Sequence, residues 1–278
     1  MNAKNKLWIS IAAVGILAGS LFLGACSSKD EDNLNAQRFN VSLAGSTTIQ
    51  PLCEELAQVF EGINKNYNIT VAAGGSSVGI SQATNGVCDI GMVSREIRQS
   101  ELDGGLYAYI IAYDGIAIIV HPNLSVTNLT RQQIQDIFTG TITNWQAIGG
   151  PNQTITVVCR EESSGTHEAF VTLAMDGKSV TNSAILQNAN GSLMMSVATT
   201  PGAIGYLSLG YLNNTVKAVS VDGVAATVAN VKNNSYTLQR PLCLVTKGQA
   251  TGAAKTFIDF ILSAEGQAIV AKDYITVN

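Results

Sequence analysis

Three short stretches of this chain combine glycine, serine and threonine as a strand-to-helix turn would: Ala44-Gly45-Ser46-Thr47-Thr48, Gly74-Gly75-Ser76-Ser77-Val78 and Glu162-Ser163-Ser164-Gly165-Thr166. A helix start leaves its first backbone N–H groups without intrahelical partners, and aligned peptide dipoles place roughly half a positive charge there. Glycine lets the backbone approach a ligand with no Cβ in the way, and hydroxyls add donors that rotate to suit an oxygen. Several such starts converging on one point would hold a dehydrated tetrahedral oxyanion with few formal charges. Taken singly, each loop reads first as a helix cap, a role for which Ser and Thr are well suited. Three of them, each at the carboxyl end of a predicted strand, point to the crevice where open α/β sheets bind ligands.

Two arginines stand beside related segments. Arg160 immediately precedes the third loop, and Arg95 follows Asp89-Ile90-Gly91-Met92-Val93-Ser94. A guanidinium offers a fixed fork of donors that matches two oxygens of one phosphate. Glu161 and Glu162, next to Arg160, would orient it and offset its charge; the plainer role for either arginine is a surface ion pair.

The elements that must carry these loops alternate. Short β-branched runs predict strands over Asn40 to Ala44, Ile69 to Ala73, Gly115 to Val120, Ile155 to Cys159 and Leu242 to Thr246. Apolar residues at three- and four-residue spacing predict helices over Thr48 to Phe60, Val78 to Thr84, Arg131 to Phe138, His167 to Met175, Ser192 to Ala198 and Gly252 to Ala264. The pattern is α/β. Low-complexity segments and repeats of fixed period are absent from the sequence.

The first residues belong to a different kind of element. Lys4 and Lys6 precede an apolar stretch from Leu7 through Leu23, a charged region followed by a hydrophobic one, as in a secretory signal. The stretch ends in Leu23-Gly24-Ala25-Cys26, which resembles the lipobox of bacterial lipoproteins and implies cleavage before Cys26 and acylation of its thiol. Leu7 to Ala25 is also about long enough to cross ~30 Å of hydrocarbon as a helix, which is the competing expectation. Residues 1–25 are thus expected to be a signal peptide, and residues 26–37, polar and acidic with nothing to bury, a lipid-anchored tether.

Roughly 240 residues remain for the fold, enough for two lobes each with its own core. Charged residues make up 13% of the chain and the formal net charge is −4, which excludes a broad basic surface for nucleic acid. An anion must therefore be held locally. Cys53, Cys88, Cys159 and Cys243 lack the close C-x-x-C spacing and neighbouring histidines of a structural zinc site, and no metal or cofactor is expected. In an exported chain they form either two disulfides or four buried thiols.

These residues resemble the PstS family, the phosphate-binding subunits of bacterial phosphate ABC importers, over nearly the whole mature chain. Ala44-Gly45-Ser46-Thr47 is similar to the family's opening phosphate loop, Gly75-Ser76-Ser77-Val78-Gly79-Ile80 to its second, and Asp89 through Glu96 to its third element. Arg160-Glu161-Glu162-Ser163-Ser164-Gly165-Thr166 resembles its most specific motif, an arginine followed by a Ser-Gly-Thr helix start. Ile137-Phe138-Thr139-Gly140 with Thr143-Asn144-Trp145, and Pro201-Gly202-Ala203-Ile204-Gly205-Tyr206, add two further matches in order.

The resemblance implies a two-lobed, type II periplasmic-binding-protein fold with the anion in a cleft and two crossing segments near Tyr113 to Ala117 and Tyr236 to Leu242. Lobe 1 would comprise 38–114 and 241–278, and lobe 2 would comprise 115–240. It implies phosphate contacts from Thr47, Thr48, Ser76, Ser94, Arg95, Arg160, Ser164, Gly165 and Thr166. Ser46 and Ser77 are set apart as potential caps. The partners implied are inorganic phosphate, the subunits of an ABC permease and the bilayer through Cys26; the protein would be a monomer on the extracytoplasmic face of the cell membrane and would catalyse nothing.

Two positions depart from the family pattern: Ser163 where many relatives have glycine, and His167 where relatives often have arginine. Some relatives also use a carboxylate that accepts the ligand's proton and so refuse sulfate; Arg95 stands at that place here, leaving Asp89 or Glu162 as substitutes. Sulfate or molybdate capture, or phosphate sensing without a permease, are the alternatives within binding. The enzymatic alternative is a serine hydrolase, because Gly75-Ser76-Ser77-Val78-Gly79 satisfies G-x-S-x-G between a strand and a helix, with Ser77 as nucleophile and only His121 and His167 as bases.

Overall fold

The computed structural model describes residues 37–277, so the expected signal peptide, Cys26 and the tether up to residue 36 lie outside it. The strands, in chain order, are β1 Phe39–Gly45, β2 Tyr67–Ala73, β3 Ile90–Val93, β4 Leu106–Val120, β5 Asn128–Leu129, β6 Thr156–Arg160, β7 Ile185–Gln187, β8 Ala203–Ser208, β9 Lys217–Val221 and β10 Gln239–Lys247. The helices are α1 Gln50–Ile63, α2 Ser76–Asn85, α3 Gln99–Asp103, α4 Arg131–Phe138, α5 Gly165–Leu173, α6 Asn190–Thr199, α7 Val228–Lys232, α8 Gly252–Leu262 and α9 Ala264–Val270.

Local sequence explains these boundaries. In α1 the buried residues Leu52, Cys53, Leu56, Ala57 and Phe60 recur at helical spacing and form one apolar stripe. Thr130 starts α4 by accepting from the Gln133 amide while the Gln133 side chain accepts from the Thr130 amide, a capping box. The helix expected over Gly252 to Ala264 is α8, which stops at Leu262, and a further helix, α9, follows it. Ser263 turns to an extended ψ of 166°, and its hydroxyl caps α9 by accepting from the Gly266 amide.

The strands run in the order β2-β1-β3-β10-β4-β8-β6-β7, with β1 parallel to both β2 and β3, and β6 parallel to both β7 and β8. Between these parallel groups β4 and β10 pair antiparallel from Gln239 opposite Gly115 to Lys247 opposite Leu106. One core gathers Val41, Leu56, Ile111, Leu242, Leu244 and Phe257; another gathers Ile118, Phe138, Trp145, Val158, Phe170, Tyr206 and Leu238. β4 and β10 each contribute to the first core, β4 also enters the second, and Leu238 adjoins β10 there. The result is a two-lobed α/β fold whose lobes are joined by a pair of crossing strands. The four cysteines within it are buried free thiols, and burial pushes Cys159 up to about 11 and Cys243 up to about 12.

Candidate anion-binding site

The parallel strands deliver four loops to one place. β1 leads through Ser46, Thr47 and Thr48 into α1, β2 leads through Gly75 into α2 at Ser76, β3 leads directly into Ser94, and β6 leads through Ser164 into α5 at Gly165. Their hydroxyls converge: Ser46 Oγ is 2.9 Å and Ser76 Oγ 3.3 Å from Ser94 Oγ, and Thr48 Oγ1 is 3.1 Å from Thr166 Oγ1. Ser46, Thr47, Thr48, Ser76, Ser94, Ser164 and Thr166 are all buried. So many hydroxyls withdrawn from water are costly unless they find acceptors.

Glycine permits this convergence at two points. Gly75 has φ of 90°, and a Cβ there would stand 2.6 Å from the Ser163 carbonyl oxygen. At Gly165 a Cβ would overlap the Ser76 hydroxyl and stand 2.9 Å from Ser94 Oγ. The starts of α2 and α5, one from each lobe, therefore meet backbone to side chain, and the Ser77 amide donates to the Ser163 carbonyl at 3.1 Å.

Arg160, 1% exposed, supplies the charge. Its Nε and Nη2 donate to the carbonyls of Gln187 and Asn188 at 3.1 and 2.9 Å, while Nη1 is buried with no hydrogen-bond partner. Burial pulls its pKa below the usual arginine value, with Tyr206 and Glu161 acting the other way. The other two buried arginines are neutralised, Arg95 by Glu101 and Glu168 and Arg240 by Asp114. Arg160 forms no ion pair among the described residues, so the site carries one uncompensated positive charge.

Two residues that the sequence reading did not single out complete the cluster. Asn190, the first residue of α6, donates from Nδ2 to Thr48 Oγ1 at 2.9 Å and keeps Oδ1 buried and unpartnered. Arg240 donates to the Ser94 carbonyl at 2.8 Å and approaches Thr48 Oγ1 at 3.4 Å. With Asn190 and Arg240 both donating to it, the Thr48 oxygen is left to give its own proton to Thr166, whose hydroxyl proton is then free for a ligand. Arg240 carried a sequence signal, a lone arginine two residues before a predicted strand; Asn190 sits in an unremarkable Gln-Asn-Ala-Asn run and carried none.

Residues 30–265 match the family model described as a PBP superfamily domain. The chain is 35% identical to the phosphate-binding protein PstS of Bacillus subtilis, covering 99% of this chain and 95% of that one. It is 32% identical to the PstS of Borreliella burgdorferi, covering 94% and 95%. This chain belongs to the PstS family, within the PBP superfamily. Its fold superposes on a substrate-binding protein of Clostridium perfringens with bound phosphate, at TM-score 0.83 and 44% identity over 86% of this chain and all of that one. An ABC-type phosphate transport receptor from Vibrio cholerae follows at 0.73 and 33%, also over 86% of this chain and all of that one. The two-lobed type II architecture expected from the resemblance is therefore the fold of this PstS-family chain.

Within that family frame several expectations need correction. Arg95 is 3% exposed, but its donors go to Glu101, to the Glu96 carbonyl and toward Glu168, so it is committed to carboxylates rather than to the hydroxyl cluster. Asp89 is exposed and accepts from the amide and hydroxyl of Ser42, and Glu162 is exposed. Neither carboxylate stands among the buried hydroxyls. Ser46 is part of the cluster and also accepts from the Thr48 amide at 3.1 Å. Ser164 is a true cap, accepting from the His167 amide at 3.3 Å, and still faces the cluster through its neighbours Gly165 and Thr166.

Ser77 is exposed and hydrogen-bonds to neither histidine: His121 Nδ1 accepts from the Asn123 amide, and His167 Nδ1 lies 2.8 Å from the Tyr206 hydroxyl. Ser163, expected from the resemblance to be tolerated only with a negative φ, does not take a positive one. The two remaining family stretches meet each other, because Trp145 Nε1 donates to the Gly202 carbonyl at 2.9 Å. They also reach the site: the Tyr206 hydroxyl accepts from the Arg160 amide at 3.1 Å and fixes the end of β6.

Proposed function

We propose that this protein captures inorganic phosphate outside the cytoplasm and delivers it to an ABC-type permease, without catalysing a reaction. The observation that carries the reading is Arg160, a buried guanidinium with one unpartnered nitrogen and no counter-ion among the described residues, set among buried hydroxyls at four loops. An oxyanion satisfies both deficits at once, since it brings the negative charge and the acceptor oxygens. Phosphate rather than another oxyanion is supported by the relatives, which are named for phosphate at 35% and 32% identity.

The ligand set in this reading is Thr47, Thr48, Ser76, Ser94, Arg160, Ser164, Gly165 and Thr166, with Ser46 and Asn190 beside them. Lobe 1 comprises 38–114 and 241–278 and lobe 2 comprises 115–240, in line with the two separate cores. The chain is held at the membrane surface by acylated Cys26 and works as a monomer. Calorimetric titration with phosphate, sulfate, arsenate and molybdate tests the ligand: phosphate should bind tightest apart from arsenate, its close analogue, and sulfate binding as tightly would overturn the assignment. Cys26→Ser tests the anchor, and should release the protein from the membrane fraction.

A further inference from the structure

Outside the hydroxyl cluster, a second set of charges joins the lobes. Glu168 lies in the first turn of α5, in the lobe whose core includes Phe170. Its Oε1 accepts from Arg98 Nε at 3.0 Å and lies 2.8 Å from Arg98 Nη2, while its Oε2 lies 2.7 Å from Arg95 Nε. Both arginines follow β3 in the other lobe. We infer that Glu168, clasped by Arg95 and Arg98, sets how fast the cleft reopens and therefore how fast ligand is released.

The clasp is built to break without stranding a charge. Arg95 is held in its own lobe by a two-pronged pair with Glu101, Nη2 to Oε1 at 2.7 Å and Nη1 to Oε2 at 2.9 Å. Glu101 is fixed in turn by accepting from the Arg98 amide at 2.9 Å, at the start of α3. When the lobes part, Arg95 keeps Glu101 as its counter-ion, and the 26% exposed Glu168 and 59% exposed Arg98 return to water. The Arg95 Nε contact with Glu168 is close but badly aligned, and this N–H makes no hydrogen bond. It contributes charge attraction without the directional bond that would lock the cleft.

Glu168 is also placed to couple closure to the ligand. The N-terminus of α5, which carries Gly165 and Thr166 into the anion site, is the same turn that carries Glu168. Swinging α5 toward Ser76 and Ser94 brings the carboxylate to the arginines in the same motion. The three groups Glu168, Arg95 and Arg98 thereby report on closure rather than on the anion itself.

This inference rests on the phosphate reading above, and the experiment separates the two. The full chain in detergent, loaded with inorganic phosphate, is mixed rapidly with an excess of phosphate scavenger, and release is followed for wild type, Glu168→Gln and Arg98→Ala. Small-angle X-ray scattering of each chain without phosphate is the second measurement. Glu168→Gln should release phosphate on the order of tenfold faster, which corresponds to about 1.4 kcal/mol, with little change in association rate. Arg98→Ala should accelerate release less and remove most of its dependence on salt, because the exposed arm is the one that salt screens.

Both variants should also show a larger radius of gyration than wild type. Unchanged release together with an unchanged radius overturns the clasp, even if Glu168→Gln melts earlier, since a merely structural ion pair lowers the melting temperature alone. If Glu168→Gln does not fold, the exposed Arg98→Ala decides by the same criteria. If wild type takes up no phosphate, the functional reading fails instead, and the scattering comparison decides the clasp by itself.

Discussion

Asp114 and Arg240 face each other where the two crossing strands pair, with Arg240 Nη2 2.8 Å and Nε 3.1 Å from Asp114 Oδ2. Both side chains are almost completely buried, and the same guanidinium reaches the Ser94 carbonyl and Thr48. The junction between the lobes and the back of the anion site thus share one residue. Removing one partner of such a pair leaves a buried charge unopposed, a loss of about 3–5 kcal/mol. Asp114→Ala should therefore lower the stability measured by urea unfolding by that order. It should also weaken phosphate binding, because Arg240 is then free to leave Thr48. A variant as stable as wild type would mean that water or a neighbour replaces the carboxylate.

Arg160 behaves oppositely, since it has no carboxylate to lose. Arg160→Ala should weaken phosphate binding by about 2–5 kcal/mol, the range for truncating a buried, hydrogen-bonded charge. The ligand-free protein should melt no earlier than wild type, because an uncompensated buried cation is removed along with its two carbonyl contacts. Ser164→Ala should weaken binding by only about 1–3 kcal/mol, as a hydroxyl donor is lost. Calorimetry and thermal melts on the same samples check both statements. Wild-type affinity in both variants would reduce the loop to a helix cap.

Gly165 tests the approach of the two helix starts. A methyl group at this position would overlap the Ser76 hydroxyl and crowd Ser94. The clash lies between lobes rather than within a core, so each lobe can still pack. Gly165→Ala should fold, with a melting temperature close to wild type, and bind phosphate at least roughly tenfold more weakly because full closure is blocked. Titration against phosphate decides it, and unchanged affinity would show that the cleft closes without bringing Gly165 to Ser76.

The loops themselves were legible because they are continuous in sequence: Gly75-Ser76 and Ser164-Gly165-Thr166 each announce a helix start, and each is one. The crossing strand β4 was only half visible. Gly115 to Val120 is a run of apolar residues, whereas Leu106 to Asp114 mixes Tyr107, Tyr109 and Tyr113 with a buried aspartate, a pattern no periodicity resolves. Charge pairing was not legible at all. Arg95 and Arg160 look alike beside their loops, and only the fold brings Glu101 and Glu168 to one and leaves the other unpaired. Asn190 depends likewise on a contact with Thr48 that spans the cleft.

His167 should give the protein a measurable response to acid. Its Nδ1 is 2.8 Å from the Tyr206 hydroxyl, which already accepts from the Arg160 amide, so the tyrosine proton is available for a neutral imidazole. Burial lowers the His167 pKa; Glu162 opposes this, Arg160 adds to it, and Glu168 opposes it. With the folded value below the unfolded value of about 6.5, the unfolded chain binds more protons in the window between them. The contribution of His167 to stability is therefore complete above about pH 6.5 and is lost as the pH falls through the folded value. Thermal melts between about pH 7.5 and about pH 5 should show wild type losing stability faster than His167→Gln, whose amide oxygen can accept from Tyr206 but does not titrate. Parallel curves for the two proteins would show that the His167 pKa does not change on folding, and so that burial does not hold the imidazole neutral in the folded chain.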